Sequence, residues 1–252
     1  MGKEDSHGIQ VIAKSAAVMR ALEQHPQGLT LNELITHTGI PKSTLHRLCS
    51  ALQEEDLTLY QDGVWRLGTG LVRLAASSHE RVISRLRPLL ERLAWRTRET
   101  VDLCVFRGQH ALLVDQVMSD QELRVVSPLG TAFPLHMTAH GKAMLATLDD
   151  NAVKELFPEE ALIRRTDASH ESRTSLLQEL EVIRSHGLGV DLQEHAAGVC
   201  ALGVALNTGG RELYGLALAV PDLRFERDLE SLRSSLLQTR AEIDALFGEA
   251  QD

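Results

Sequence analysis

His136 and His140 stand four residues apart, a spacing that stacks two imidazoles on one helix face, as in zinc-binding pairs. Asp191 and His195 repeat that spacing and could complete such a site or work as an acid–base pair. Cys104 in Asp102-Leu103-Cys104-Val105 could be imagined as a nucleophile, but its apolar neighbours make it a buried strand residue, and burial raises a thiol's pKa. The chain has no Gly-x-Ser-x-Gly, no phosphate-binding glycine loop and no paired-carboxylate pattern. Thr138-Ala139 marks a strand-to-helix junction between the two histidines, so capping or packing roles are the simpler reading of that pair. No enzyme activity, metal or cofactor is expected. Asp191 and His195 read either as ligand anchors or as polar residues that structure a loop.

The most informative stretch is Pro41-Lys42-Ser43-Thr44-Leu45-His46-Arg47. If Leu45, Leu48 and Leu52 point inward, Lys42, Ser43, Thr44, His46 and Arg47 share the solvent side at a helix N-terminus. Hydroxyls grip phosphate and Arg pairs bidentately with guanine, and the first turns of a recognition helix are what reach base edges. No Asp or Glu occurs between Glu33 and Glu54, so this face has no local anionic competition. The alternative is a solvated helix face in an all-α adaptor.

The elements that would position these residues follow from punctuation. Residues 1–8 are polar and read as a disordered tail. A helical apolar pattern runs over 9–23 and stops at His25-Pro26-Gln27-Gly28. Thr30 followed by Glu33 is a capping box for a short helix over 31–38, which Gly39 ends. Pro41 opens the third helix. Asp62-Gly63, between apolar runs at 57–60 and 64–67, predicts a hairpin, with Arg66 placed to reach phosphate. This is the order of a winged helix-turn-helix, assigned to 9–75. An Arg- and Leu-rich linker helix is expected over 76–99. An effector-binding domain is expected over 100–252, with strands at 101–106, 111–117, 123–127, 187–191, 199–206 and 214–220. Helices fall at 139–148, 151–157, 172–186 and 225–247. The fold class is α+β.

The net charge of -9 is unhelpful for binding DNA, but it is unevenly spread. Residues 1–75 hold seven Lys or Arg and eight Asp or Glu, so nearly all the excess negative charge lies beyond them. Nucleic acid, if bound, is bound near the N-terminus by a local basic face. Three scattered cysteines, Cys49, Cys104 and Cys200, exclude a disulfide framework or zinc ribbon and fit a reducing compartment. With no signal-peptide core and no apolar run of membrane-spanning length, a cytoplasmic location is expected, with no membrane partner.

Two stretches make the chain resemble the IclR family of transcription regulators. One is Ile9 to Leu52, above all Gly39 to Leu48; the other is the C-terminal pair Pro134-Leu135-His136-Met137-Thr138-Ala139-His140-Gly141-Lys142-Ala143 and Asp191-Leu192-Gln193-Glu194-His195-Ala196-Ala197-Gly198-Val199. The resemblance spans about 9 to 248. The opening Gly8-Ile9-Gln10-Val11-Ile12-Ala13 and the Gly198-Val199-Cys200 variant look closest to the branch that represses efflux-pump genes in response to hydrophobic compounds. The resemblance implies a homodimer or dimer of dimers, a double-stranded DNA operator with two half-sites, and a small-molecule effector in a GAF-like C-terminal sensor domain. The family's tract after Gly-Val reads Arg-Cys, whereas here Cys200 and Ala201 follow. Two family serines of the later strand are matched by Ala217 and Ala219. The implied effector contacts are Ser127, Leu129, Asp191, His195, Ala201, Ala217, Leu218 and Ala219. Without a thiol and two hydroxyls, such a pocket suits a neutral, largely apolar ligand. Three functions stay open: a ligand-responsive regulator, expected to be a repressor; a small-molecule sensor without DNA function; and a metal-dependent enzyme.

Overall fold

The computed structural model describes residues 4–210 and 212–248. The chain divides into two compact units, Met1–Glu80 and Arg81–Asp252.

The first unit begins with helix α1, Glu4–Glu23, which takes in five residues of the expected tail; residues 1–3 of that tail lie outside the described residues. Helix α2, Leu31–Thr38, starts at the capping box. The Thr30 amide donates to Glu33 Oε2 at 2.8 Å, and the Glu33 amide returns to Thr30 Oγ1. Gly39, at φ 65°, ends it in the left-handed conformation that favours glycine. Helix α3, Lys42–Glu54, follows Pro41. Strands β1, Thr58–Gln61, and β2, Val64–Leu67, pair antiparallel across Asp62-Gly63, both at positive φ as a tight type I′ turn needs. Leu29 and Trp65 exchange two backbone hydrogen bonds, tying the wing to the turn before α2. Val18, Leu22, Leu34, Leu45, Cys49 and Trp65 form one core beneath all three helices.

Helix α4, Gly70–Thr97, starts six residues before the expected linker. The second unit is built on a six-stranded antiparallel sheet. Its strands are β3 (Thr100–Arg107), β4 (His110–Val117), β5 (Ala132–Pro134), β6 (Gly189–Leu192), β7 (Val199–Leu206) and β8 (Tyr214–Pro221). Their spatial order is β5-β4-β3-β8-β7-β6. Segment 123–127, expected as a strand, is irregular; the free edge of β4 is taken instead by the three-residue β5, which the sequence reading missed.

Side chains alternate across the sheet. Val101, Leu103, Leu202, Leu216, Leu218 and Val220 face the second-unit part of α4 and the C-terminal helix α8, Asp222–Gly248. The arginines of α4 turn to α8 and to the sheet. Arg85 donates to Leu246 O and lies over the Phe247 ring, Arg87 pairs with Asp115, and Arg96 bonds Ser235 O and Thr239 Oγ1. The opposite sheet face carries helices α5 (Ala139–Leu145), α6 (Asp150–Leu156) and α7 (Arg173–His186), around Cys104, Leu113, Phe133, Met144, Leu176 and Leu180. Helix α5 lies directly on the strands because glycine lies under it. A Cβ on Gly203 would sit 2.2 Å from the His140 amide nitrogen, and one on Gly189 would sit 2.1 Å from Ala139 O.

Candidate functional site

Helix α3 presents the expected polar face. Leu45, Cys49 and Leu52 are buried, while Lys42, Ser43, His46 and Arg47 are exposed and Thr44 is half-buried. Lys14 and Gln10 of α1 stand across a groove from Ser43, Thr44, His46 and Arg47, so a third cation joins Lys42 and Arg47 on this face; the sequence reading missed Lys14. Arg66 differs from expectation. It is half-buried, and its Nε donates to Gln27 O at 3.1 Å, so part of its guanidinium braces the turn before α2.

In the second unit a cavity of about 240 Å³ lies between the sheet and the segments above it. Its floor is a consequence of strand register. Asp102 of β3 pairs with Ala217 of β8, and Ala219 of β8 with Ala201 of β7, which pairs in turn with Asp191 of β6. Paired residues share a face, and these carry small or acidic side chains. The walls are Val125, Val126 and Ser127, then Phe133, then Thr138, Ala139 and His140 at the start of α5, and His195, Ala196 and Val199 after β6.

Six of the eight expected effector residues therefore converge: Ser127, Asp191, His195, Ala201, Ala217 and Ala219. Leu218 does not. The pleat that turns Ala217 and Ala219 to the cavity turns Leu218 to the α4–α8 core, where it is fully buried. Leu129 does not either, because it sits beside the Gly130 turn and is 64% exposed. Asp102, Phe133 and His140 were missed. An acid in the apolar run Val101–Val105, on the face opposite Leu103, was a legible sign for Asp102; nothing local marked Phe133.

The four titratable groups in this wall are all pushed towards neutrality. Burial raises the Asp102 carboxyl to about 6, against one hydrogen bond from Gln116 Nε2 at 2.7 Å. Burial raises Asp191 to about 7, although its Oδ1 accepts the amides of Glu194 and His195. Burial lowers His140 to about 3, and burial with the nearby Arg165 lowers His195 to about 4. Arg165 donates to His195 Nε2 at 2.6 Å. The Phe133 ring meets both imidazoles edge-on, with centroids 5.5 Å from His140 and 5.4 Å from His195. No lysine or arginine lines the cavity among the described residues.

His136 and His140 do not form a pair. His136 packs against Phe157 and its Nε2 bonds Ile163 O at 2.9 Å, while His140 faces Phe133. Among the described residues, the one converging set of metal-type donors is His170, Glu179 and Glu194. The ammonium of Lys142 lies on both carboxylates: 2.7 and 2.9 Å from the Glu179 oxygens, and bonded to Glu194 Oε1. Lys142 is fully buried, so this cluster supplies its own cation. It also ties α5, which carries His140, to α7 and to the segment that carries His195. Ser169 Oγ and Thr166 Oγ1 strengthen that tie by donating to Glu194 O and Gln193 O.

The chain matches two family profiles, the IclR helix-turn-helix domain over residues 11–62 and the bacterial transcriptional regulator IclR C-terminal domain over 74–245. It is 36% identical over 249 residues to the HTH-type transcriptional regulator Rv1719 of Mycobacterium tuberculosis, covering 98% of this chain and 96% of that protein. It is 35% identical over 245 residues to the HTH-type transcriptional regulator TtgV of Pseudomonas putida, covering 96% and 93%. Among solved structures, an IclR transcriptional regulator from Alicyclobacillus acidocaldarius superposes with a TM-score of 0.79 at 23% identity, covering 94% of this chain and 98% of that one. An IclR homologue from Microbacterium hydrocarbonoxydans, complexed with 4-hydroxybenzoate, gives 0.77 at 20% identity, covering 93% and 99%.

Proposed function

The chain belongs to the IclR family of bacterial transcription regulators, and from that footing we propose that it is a repressor released from its operator when a small, largely apolar molecule fills the cavity above Ala201, Ala217 and Ala219. The observation that carries the effector class is the chemistry of that wall. Its floor is alanine, its titratable groups are held towards their neutral forms, and no cationic side chain lines it among the described residues. A small carboxylate needs converging donors or a cation to replace its water. An uncharged molecule loses little water and gains apolar contact.

Operator contact is assigned to Lys42, Ser43, Thr44, His46 and Arg47, with Arg66 on the wing. Two half-sites read by a dimer would multiply what one short helix can do. The protein acts in the cytoplasm, where the DNA is; no described helix is long and apolar enough to cross a membrane.

The test couples the two sites. Effector and operator must weaken one another reciprocally, by a factor of roughly 5–150 for a coupling of about 1–3 kcal/mol. A panel of uncharged aromatic and aliphatic compounds is expected to raise thermal stability and to release an operator fragment in a gel-shift assay. Release by small oxoacids, with no response to the uncharged compounds, would contradict the effector class and leave the regulator assignment intact.

A further inference from the structure

Of the fully buried polar atoms in the cavity wall, one has no partner among the described residues. His140 is 4% exposed, its Nε2 meets no hydrogen-bonding atom, and only burial and the neighbouring His195 act on its proton. Other polar wall atoms are engaged, Thr138 Oγ1 among them through Pro134 O. His195 Nε2 accepts from Arg165, Asp191 Oδ1 accepts two amides, and Asp102 Oδ1 accepts from Gln116. Leaving a buried imidazole unpaired is costly, and native interiors keep such groups where something else completes them.

We infer that His140 is the specificity-determining residue of this cavity, reading a hydroxyl on an uncharged ligand of one or two rings. The inference rests on the reading of the cavity as the effector site and names what that site selects. A neutral imidazole has one N–H and one lone pair, and a hydroxyl can complete either, since it both donates and accepts. A carboxylate would have to give up its water where no lysine or arginine lines the wall among the described residues. The size follows from the volume: 240 Å³ exceeds the roughly 150 Å³ cavity that admits benzene and falls below the roughly 300–1,000 Å³ of sites for drug-sized ligands. Phe133 holds the His140 ring edge-on, so the imidazole is oriented before the ligand arrives.

The experiment compares phenol with toluene, which is similar in size and lacks the hydroxyl, by sealed-cell calorimetry on the full-length protein. The wild type is expected to prefer phenol by about ten- to a hundredfold, the range for satisfying one buried polar group. His140→Phe is expected to bring the ratio close to one by weakening phenol and not toluene. His140→Gln places an amide near the ring's Nε2 and His140→Asn near its Nδ1, so one of the two is expected to retain the preference. Ala217→Leu, which fills the floor, is expected to abolish binding of both probes. If His140→Phe leaves the preference unchanged, another group reads the hydroxyl and the inference falls while the cavity stands. If Ala217→Leu leaves both probes bound, or neither probe binds the wild type at millimolar concentration, the reading of the cavity falls and takes the inference with it. Benzoate binding more tightly than phenol, and lost in Ala217→Leu, would keep the cavity as a ligand site and overturn the role given to His140.

Discussion

Lys142→Met removes the cation from the buried cluster while keeping a side chain of similar length to pack beneath α5. Glu179 is partly exposed and retains His170, whose hydrogen bond helps hold it below the usual carboxylate range against the effect of burial. Glu194 is 7% exposed, and burial already holds its carboxyl above the ordinary value, offset in part by Lys142. Its Oε2 has no hydrogen-bond partner. Without Lys142 its remaining ionic neighbour is His170 Nε2, 3.9 Å from Oε2 and beyond hydrogen-bond reach, so it must stay ionised with no hydrogen-bonded partner or take up a proton. Breaking a buried ion pair costs about 3–5 kcal/mol. Protonation limits the loss: from the ordinary 4.5, holding a carboxyl neutral at pH 7 costs about 3.4 kcal/mol at about 1.36 kcal/mol per pH unit. The expected deficit at pH 7 is therefore about 3 kcal/mol. For a unit of this size that lowers the melting temperature by roughly 6–12 °C. At pH 5 the same route costs only about 0.7 kcal/mol, so the deficit should largely disappear. The double variant Lys142→Met/Glu194→Gln should recover most of the loss at pH 7, because no unpaired carboxylate remains at the buried position. Urea unfolding at pH 7 and pH 5 reads all three quantities. A deficit that is independent of pH, or that Glu194→Gln does not relieve, would mean that Lys142 matters through packing and that the charge argument is wrong.

In the first unit, Arg47→Ala and Thr44→Ala should each weaken operator binding by about 1–3 kcal/mol with the fold intact; circular dichroism and a gel-shift titration check both, and unchanged affinity in the pair would refute the recognition face. Arg66→Ala should weaken binding evenly across sequences, as a phosphate contact does. Losing the Gln27 brace should also lower stability, and a change confined to base preference would contradict this. Gly203→Ala places a Cβ 2.2 Å from a backbone nitrogen, which no rotamer change relieves. It should destabilise by at least about 1–3 kcal/mol, and a normal melting curve would show that α5 is not pinned there. In the second unit the pH terms oppose one another. Asp191 and Asp102, raised from 3.8 to about 7 and about 6, keep protons that the unfolded chain releases, so their contribution falls as pH rises through that window. His140 and His195, lowered from 6.5 to about 3 and about 4, refuse protons that the unfolded chain takes up, so theirs falls as pH drops below 6.5. Relative to wild type, His140→Phe should gain about 1.4 kcal/mol for each pH unit of acidification between 6 and 4, and Asp191→Asn should lose a similar amount; parallel stability curves would refute both assignments.

Much of the first unit was legible because its determinants are local. A capping threonine, a glycine after the helix, a proline at the start of the next and Asp-Gly in the hairpin each act within four residues. The burial pattern of α3 followed from its leucines, so the solvent face was readable too. In the second unit the longer strands were visible as apolar runs, and β7 matches its expected limits of 199–206. What failed there depended on partners. The 123–127 run has strand-like residues, but a strand exists only when an edge accepts it, and β5 holds that edge with three residues ending in Pro134. Leu218 was named with Ala217 and Ala219 as an effector contact implied by the resemblance, although strict alternation of the pleat already placed it on the other face. The cavity wall and the buried cluster needed the tertiary structure. Lys142, His170, Glu179 and Glu194 come from a helix, a loop, a second helix and the turn after β6, up to 52 residues apart in sequence. Their charges matter only because packing removes the water that would otherwise separate them, and no pattern along the chain encodes how dry a place will be. His140 shows the same division. Its position on α5 is a local fact, whereas its lack of a partner is a property of everything folded around it.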